Sequence, residues 1–314
     1  MPIDWTDPEL VFLRRELLES GYDDRAIRRR IRSGEWQRIR RGAFCRSAIW
    51  REANPEARHR LTARAVMRTA HPSAVLSHTS SLVEREIPVW NVDLADVHLT
   101  RTDGRSGRHE AGVVHHRGRL NEWEVELING LRATRAARAV VELTSLTDVE
   151  SSLVSANWAL AEQSCSRPEI AAVTRRFTHW PDTLASDLVV RLAEPRCQWP
   201  GEARTEHLLR TRHLPPAEPQ YEVYDEAGNL VAVVDFAWPE LGVFLEFDGN
   251  IKYERLRRKG ESIADVVRRE KQREELVCVL TGWVCIRITW DDLSRPEQTA
   301  RRIRALLDTR SVAA

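Results

Sequence analysis

Lysine is almost missing from this chain. Of 48 basic residues only Lys252, Lys259 and Lys271 are lysines, and the rest are arginines. Arginine stays charged, whereas a lysine ammonium is compact and titrates when buried, so three lysines confined to one short stretch are informative. No run approaches the roughly 20 apolar residues of a membrane-spanning helix. The opening MPIDWTDPEL has neither the basic head nor the apolar run of a signal peptide, so the protein is expected in the cytoplasm and away from membranes. Cysteine is sparse and odd in number: Cys45, Cys165, Cys197, Cys278 and Cys285 form no CxxC pair, which argues against zinc or redox centres and for reduced, mostly buried thiols. The ten histidines, including His115-His116 and His207, show no HExxH spacing, and surface or core roles outweigh metal binding. A P-loop, a dinucleotide fingerprint and a GxSxG elbow are all absent, leaving nucleotide hydrolysis and serine chemistry without support.

What is present is the balance of a globular protein: 314 residues, 42% hydrophobic and 30% charged, enough for two or three cores. A net charge of +1 conceals an uneven layout, because Phe12 to Ala70 holds 16 arginines against 7 acids. Within that basic stretch, Leu10, Leu13 and Leu17 recur at helical spacing and predict a helix over 8–19, stopped by Gly21. A second helix is predicted from Asp23-Asp24 to about Ser33. It buries Ala26, Ile27 and Ile31 and turns Arg25, Arg28, Arg29 and Arg32 elsewhere. EWQRIRRGAFC then suits a small hairpin around Arg40-Arg41-Gly42.

Helix, turn, arginine-rich helix and basic hairpin resemble a winged helix-turn-helix. More specifically, RRRIRSGEWQRIRRGAF resembles the N-terminal domain of the AbiEi-type antitoxins of abortive-infection, type IV toxin-antitoxin systems. The likeness continues through SHTSSLVEREIP (77–88) and LRATRAARAVVEL (131–143), so it covers Pro8 to Ala161. It departs in one respect, since only two helices precede the hairpin. Its implication is a DNA-binding surface of Arg28, Arg29, Arg32, Arg38, Arg40 and Arg41, with a helix in the major groove, a wing on the phosphates, and a cognate toxin protein as a further partner. The bland alternative is a solvated arginine face.

Downstream, a helix over Pro55 to Ala70, strands in DVHLTRT and AGVVHHR, and helices over 134–144, 148–161 and 167–177 predict an α+β middle domain. The Trp/Pro-rich breaks HWPDT and EPRCQWPG place the last boundary at 195–200. The expected layout is α+β overall: a winged helix-turn-helix (1–50), a middle α+β domain (51–195) and a C-terminal α/β domain (196–314). The last should run helix (202–212), strand around Tyr221, strands 230–237 and 243–247, charged helix (262–280), strand WVCIRIT and a closing helix.

VVDFAWPELGVFLEFDG places Asp235 on one strand and Glu246 and Asp248 on one face of the next. Converging carboxylates repel unless a cation neutralises them, and Mg²⁺ favours such oxygen ligands. Solvated strand-end charges are the alternative. GEARTEHLLR, VVDFAWPELGVFLEFDG and REKQREELVCVLTGWVCIRIT together resemble domains related to the very-short-patch-repair endonucleases, of the PD-(D/E)XK nuclease superfamily, from Pro200 to Leu293. That resemblance implies Asp235 and Glu246 as ligands of Mg²⁺ (or Mn²⁺), Asp248 as a further ligand or water positioner, and Glu202 as the acid contributed by the first helix. The superfamily's lysine two residues after the glutamate is replaced here by Asp248. The base then falls to Lys252, just past Asp248-Gly249, or to Lys271, placed four residues after Val267 on the inward stripe of its helix beside Glu270; both lysines as solvated surface charges is the bland reading. Two functions follow: a DNA-binding, Mg²⁺-dependent endonuclease serving phage defence or repair, or a non-catalytic DNA-binding regulator of the antitoxin kind.

Overall fold

Residues 3–104, 107–177, 183–249 and 263–313 are described by a computed structural model, and the chain divides into two compact units, Met1–Arg191 and Leu192–Ala314. In the first, Asp7 accepts the N–H of Glu9 and caps a 3-10 turn over Pro8–Leu10. Strand β1 (Phe12–Leu13) and helix α1 (Arg14–Glu19) follow. The single helix expected over 8–19 is therefore shorter. Phe12 and Leu13 pair with Phe44 and Ala43 instead, gaining sheet hydrogen bonds that the leucine periodicity could not foretell.

Helix α2 (Asp24–Arg32) matches expectation, with Asp23 accepting the Ala26 N–H at its N-cap. Strands β2 (Trp36–Arg40) and β3 (Ala43–Arg46) form the hairpin, and Gly42 at its tip adopts φ +75°, where a side chain would strain. The three strands lie in the order β1-β3-β2, and Leu17, Ile27, Trp36 and Phe44 fill the core beneath them. A second cluster joins Leu10, Leu13 and Ala43 to Ala53, at the end of α3 (Ser47–Glu52), and to Leu61 and Ala65 of α4 (Pro55–Met67). Apolar packing thus runs unbroken across position 50.

The middle of this unit is a six-stranded sheet of order β6-β7-β5-β4-β9-β8. Its strands are β4 (Ala74–Leu76), β5 (Val97–Arg101), β6 (Arg108–Glu110), β7 (Val113–His116), β8 (Val125–Ile128) and β9 (Leu131–Thr134). Ala63 and Val66 of α4 pack with Val97, Leu99 and Val113 on one face. Against the other face lies α5 (His78–Glu84), which no periodic pattern announces, because Ser, Thr and His are weak helix formers and the segment is entirely buried. Helices α6 (Ala136–Leu143), α7 (Val149–Ala161), α8 (Arg167–Arg176) and α9 (Thr183–Leu192) follow; only α9 was not expected.

The second unit opens with α10 (Pro200–Thr211), then β10 (Glu218–Tyr224), β11 (Leu230–Trp238) and β12 (Val243–Asp248). Helix α11 (Ile263–Thr281) leads to β13 (Val284–Thr289), and α12 (Trp290–Leu293) and α13 (Pro296–Ala313) close the chain. The sheet order is β10-β11-β12-β13, with antiparallel neighbours except for the parallel last pair. A parallel pair needs a crossover, and α11 lies within it. Phe236, Leu245, Ile288 and Ile303 form its core. At Gly201, α10 comes so close to β12 that an added Cβ would lie 2.1 Å from the Phe247 ring.

Candidate functional site

On α2 the four arginines 25, 28, 29 and 32 follow a spacing of three and four residues, so they share one face while Ile27 points into the core. Arg28, Arg29, Arg32, Arg38 and Arg41 are exposed, and Arg40, beside the turn at the tip of the hairpin, is half-buried. Among the described residues none of these six side chains donates a hydrogen bond or enters an ion pair. Neighbouring arginines behave otherwise: Arg14 holds Asp24 at 2.6 Å, and Arg30 holds Glu35 while lying over the Trp36 ring. The six lie on one helix and the adjoining hairpin, and Arg28 stands near enough to Asp24 for its charge to favour that carboxylate's ionised form.

The acids of the second unit are arranged differently. Register pairs Phe236 with Leu245, so Asp235 and Glu246 stand one step further along adjacent strands, 6% and 7% exposed. Asp235 Oδ2 accepts the Phe247 N–H at 2.7 Å. Glu246 Oε1 accepts from Arg273 at 3.0 Å, and Asp248 Oδ2 from Arg287 at 3.3 Å. Arg287 also reaches Glu274 and sits opposite Glu246 in the parallel register. Glu202 Oε2 accepts the Trp199 N–H at 3.3 Å, closing the start of its own helix. One turn on, Glu206 is buried and paired with Arg210, and burial pushes its carboxyl above the usual range.

These contacts bear on the expected ligands. Guanidinium groups already neutralise Glu246 and Asp248, and among the described residues no three of His, Cys, Asp and Glu are arranged to hold a metal. Lys271, expected on an inward stripe, is exposed; Arg273 instead shares a helix face with the buried Val277 four residues on. Two residues of helix rotate a side chain by roughly 200°, which separates the two cations. Lys252 lies outside the described residues. Sequence reasoning passed over Arg273, Arg287 and Glu206, although Glu202 and Glu206 at a four-residue spacing were a legible pair of acids on one helix face.

Sequence reasoning also passed over a buried polar cluster in the first unit. Strand alternation sends His115 and His116 to opposite faces of the six-stranded sheet. His116 stacks on His78 with ring centroids 3.5 Å apart, and its Nε2 lies 2.7 Å from His98 Nδ1. His78 Nδ1 lies 3.0 Å from Ser77 Oγ, its backbone N–H donates to Glu142 Oε2 at 3.0 Å, and its φ is +51°. Burial pushes the His98 pKa down to about 4 and that of His116 to about 3, and holds His78 well below its ordinary value. Arg138, 2% exposed, joins Glu142 at 2.6 Å to Glu124 at 2.7 Å.

The five cysteines are free, three of them buried, and no helix among the described residues is long and apolar enough to cross a membrane. No curated protein matches the chain. Among solved structures, a crystal structure of the RV2827C protein from Mycobacterium tuberculosis is similar at 15% identity and a TM-score of 0.41, covering 70% of this chain and 85% of that one. Residues 11–47, from the residue before β1 to the residue after β3, match the family described as transcriptional regulator, AbiEi antitoxin. The helix–turn–helix and hairpin that carry the unpaired arginines are thus the part of the chain that is similar to that family.

Proposed function

We propose that the protein is a DNA-binding transcriptional regulator of the AbiEi antitoxin kind, with α2 as the recognition helix and the β2–β3 hairpin as the wing. The observation that carries this reading is the set of six arginines that make no hydrogen bond or ion pair among the described residues, lying inside the segment similar to that family. A helix of this size fits the major groove, and guanidinium groups on an adjoining hairpin meet phosphates. Similarity to an antitoxin family also supports a toxin protein as a second partner.

Each phosphate neutralised releases counterions, so affinity for duplex DNA should fall steeply with salt, by about 0.9 in the log–log slope per contact. Replacing Arg38 and Arg41 by alanine should flatten that slope by about 2 and leave the fold intact, because both side chains are exposed. Fluorescence anisotropy on duplex DNA across a salt series checks this. Salt-independent binding, or an unchanged slope in the double variant, would remove the assignment.

A second reading, a Mg²⁺-dependent endonuclease, is supported by the order helix, three strands, helix, strand in the second unit and by Asp235 and Glu246 on adjacent strands. The arginines on Glu246 and Asp248 weigh against it. Plasmid nicking in Mg²⁺ or Mn²⁺ separates the two readings, since activity lost in Asp235→Ala would restore the nuclease.

A further inference from the structure

Strand β6 stands at one edge of the six-stranded sheet, and its three residues, Arg108, His109 and Glu110, are all exposed. Register sets Arg108 opposite His115 of β7, so both side chains rise from the same face of the sheet, the one away from the buried histidines. On that face a hollow of about 230 Å³ lies between the hairpin and the sheet, and Arg40, Arg101, Arg108 and His115 stand on its walls. Beneath them Val66, Leu99 and Val113 are packed into the core, so anything that approaches the hollow meets its charged walls.

Charge on these walls is only partly balanced. Asp103 accepts from Arg101 at 2.9 Å, which settles that pair. Glu110 lies 3.3 Å from Arg108, but the two side chains are 65% and 67% exposed, and an ion pair in that setting contributes little and yields readily to another anion. Arg40 and His115 are half-buried and make no hydrogen bond or ion pair among the described residues. Removing a guanidinium from part of its water without giving it an anion costs free energy, which a phosphate oxygen would recover. Burial, Arg108 and Arg101 together hold His115 below its ordinary pKa against the pull of Glu110, and an anion at the walls would return it toward the charged form.

Arg40 belongs to two surfaces: it ends the first strand of the hairpin beside Arg41, and it faces the hollow together with Arg108 and His115. Duplex DNA presents an unbroken row of phosphates, so a backbone that meets the hairpin at Arg40 has further charges to place at the hollow. A lone inorganic anion would satisfy one of these cations, whereas a run of phosphates satisfies the row. We propose that the β6 edge of the six-stranded sheet is a second contact for duplex DNA, with Arg108 and His115 holding the backbone beyond the phosphate met by Arg40. The proposal rests on the DNA-binding reading given above and extends it beyond the helix and hairpin. Groups that meet only phosphate add affinity and fix orientation without reading sequence.

The test is fluorescence anisotropy of the full-length protein on a short duplex of arbitrary sequence across a salt series. Arg108→Ala, at an exposed position that the fold tolerates, should weaken binding several-fold and flatten the log–log salt slope by about 0.9. Glu110→Gln, also at an exposed position, frees Arg108 from its acid and should act in the opposite direction, tightening binding several-fold. His115 faces Arg40, His71, Arg101, Arg108 and Glu110 around the hollow, and a phosphate there favours its imidazolium. Parent affinity should therefore rise as pH falls from about 7.5 to about 6, and rise less in His115→Gln. An unchanged slope and affinity in Arg108→Ala would overturn the second contact and leave the helix and hairpin reading standing. The same pH dependence in His115→Gln as in the parent would remove His115 from the contact. A parent protein without salt-dependent DNA binding would remove both readings together.

Discussion

Arg28, Arg29, Arg32, Arg38 and Arg41 of the first unit face solvent and make no hydrogen bond or ion pair among the described residues, whereas Arg273 of the second reaches the buried Glu246 and Arg287 holds the partly exposed Asp248. The same side chain serves opposite ends. A solvated guanidinium costs the fold little and stays available to an outside anion. One that reaches a buried carboxylate offsets a charge that would otherwise be stranded in low dielectric, and it is no longer free to recognise anything. Availability of charge, rather than the amount of it, marks the candidate interface.

The buried ion network should be the more costly of the two to disturb. Arg138→Met leaves Glu142 and Glu124 facing an apolar side chain, and should lower stability by about 3–5 kcal/mol. Adding Glu142→Gln should return part of that loss. Urea unfolding measures both, and a loss under about 1 kcal/mol for Arg138→Met would mean that the network is wet rather than buried.

A smaller effect is expected where the acid-bearing strand meets its helix. Gly201→Ala thrusts a methyl group into the Phe247 ring, itself confined by Trp290 at 4.8 Å, and should cost about 1–3 kcal/mol. Phe247 lies between Glu246 and Asp248, so the Arg273 and Arg287 pairs should loosen with it. Thermal unfolding checks the first point; a variant as stable as the parent would show that the helix can slide away without loss.

The third test is acidification. His78, His98 and His116 have folded-state pKa values below their ordinary one, so the unfolded chain takes up protons first as pH falls. Their contribution is complete above about pH 6.5 and declines from there toward pH 4, by about 1.4 kcal/mol per pH unit for each histidine that protonates only on unfolding. His98→Phe should flatten that decline. A stability curve level between pH 6.5 and 4.5 would contradict the neutral cluster.

Much of the skeleton was legible in advance. α2 is announced by an aspartate cap and by isoleucines on one stripe, β11 and β12 by apolar runs flanking Trp-Pro, and α11 by a charged segment closed by Gly282. The fused helix over 8–19 failed because Phe12 and Leu13 found a sheet edge formed more than 30 residues later in the chain. Helix α5 was hidden because burial, not propensity, stabilises SHTSSLVE. Lys271 was put on the wrong face because the apolar stripe of α11 is weak, and two residues of phase exchange an inward cation for an outward one.

By itself, then, the sequence determined the basic helix and hairpin, the acids on neighbouring strands, and the elements long enough for a periodic pattern to accumulate. These depend on local spacing, which the chain carries wherever it folds. Only the tertiary structure decided which charges stay unpaired, which lysine or arginine meets Glu246, and that His78, His98 and His116 stack while His115 turns to the far face. Such pairings depend on strand register and helix phase between distant segments, and a shift of one residue in either would exchange the partners.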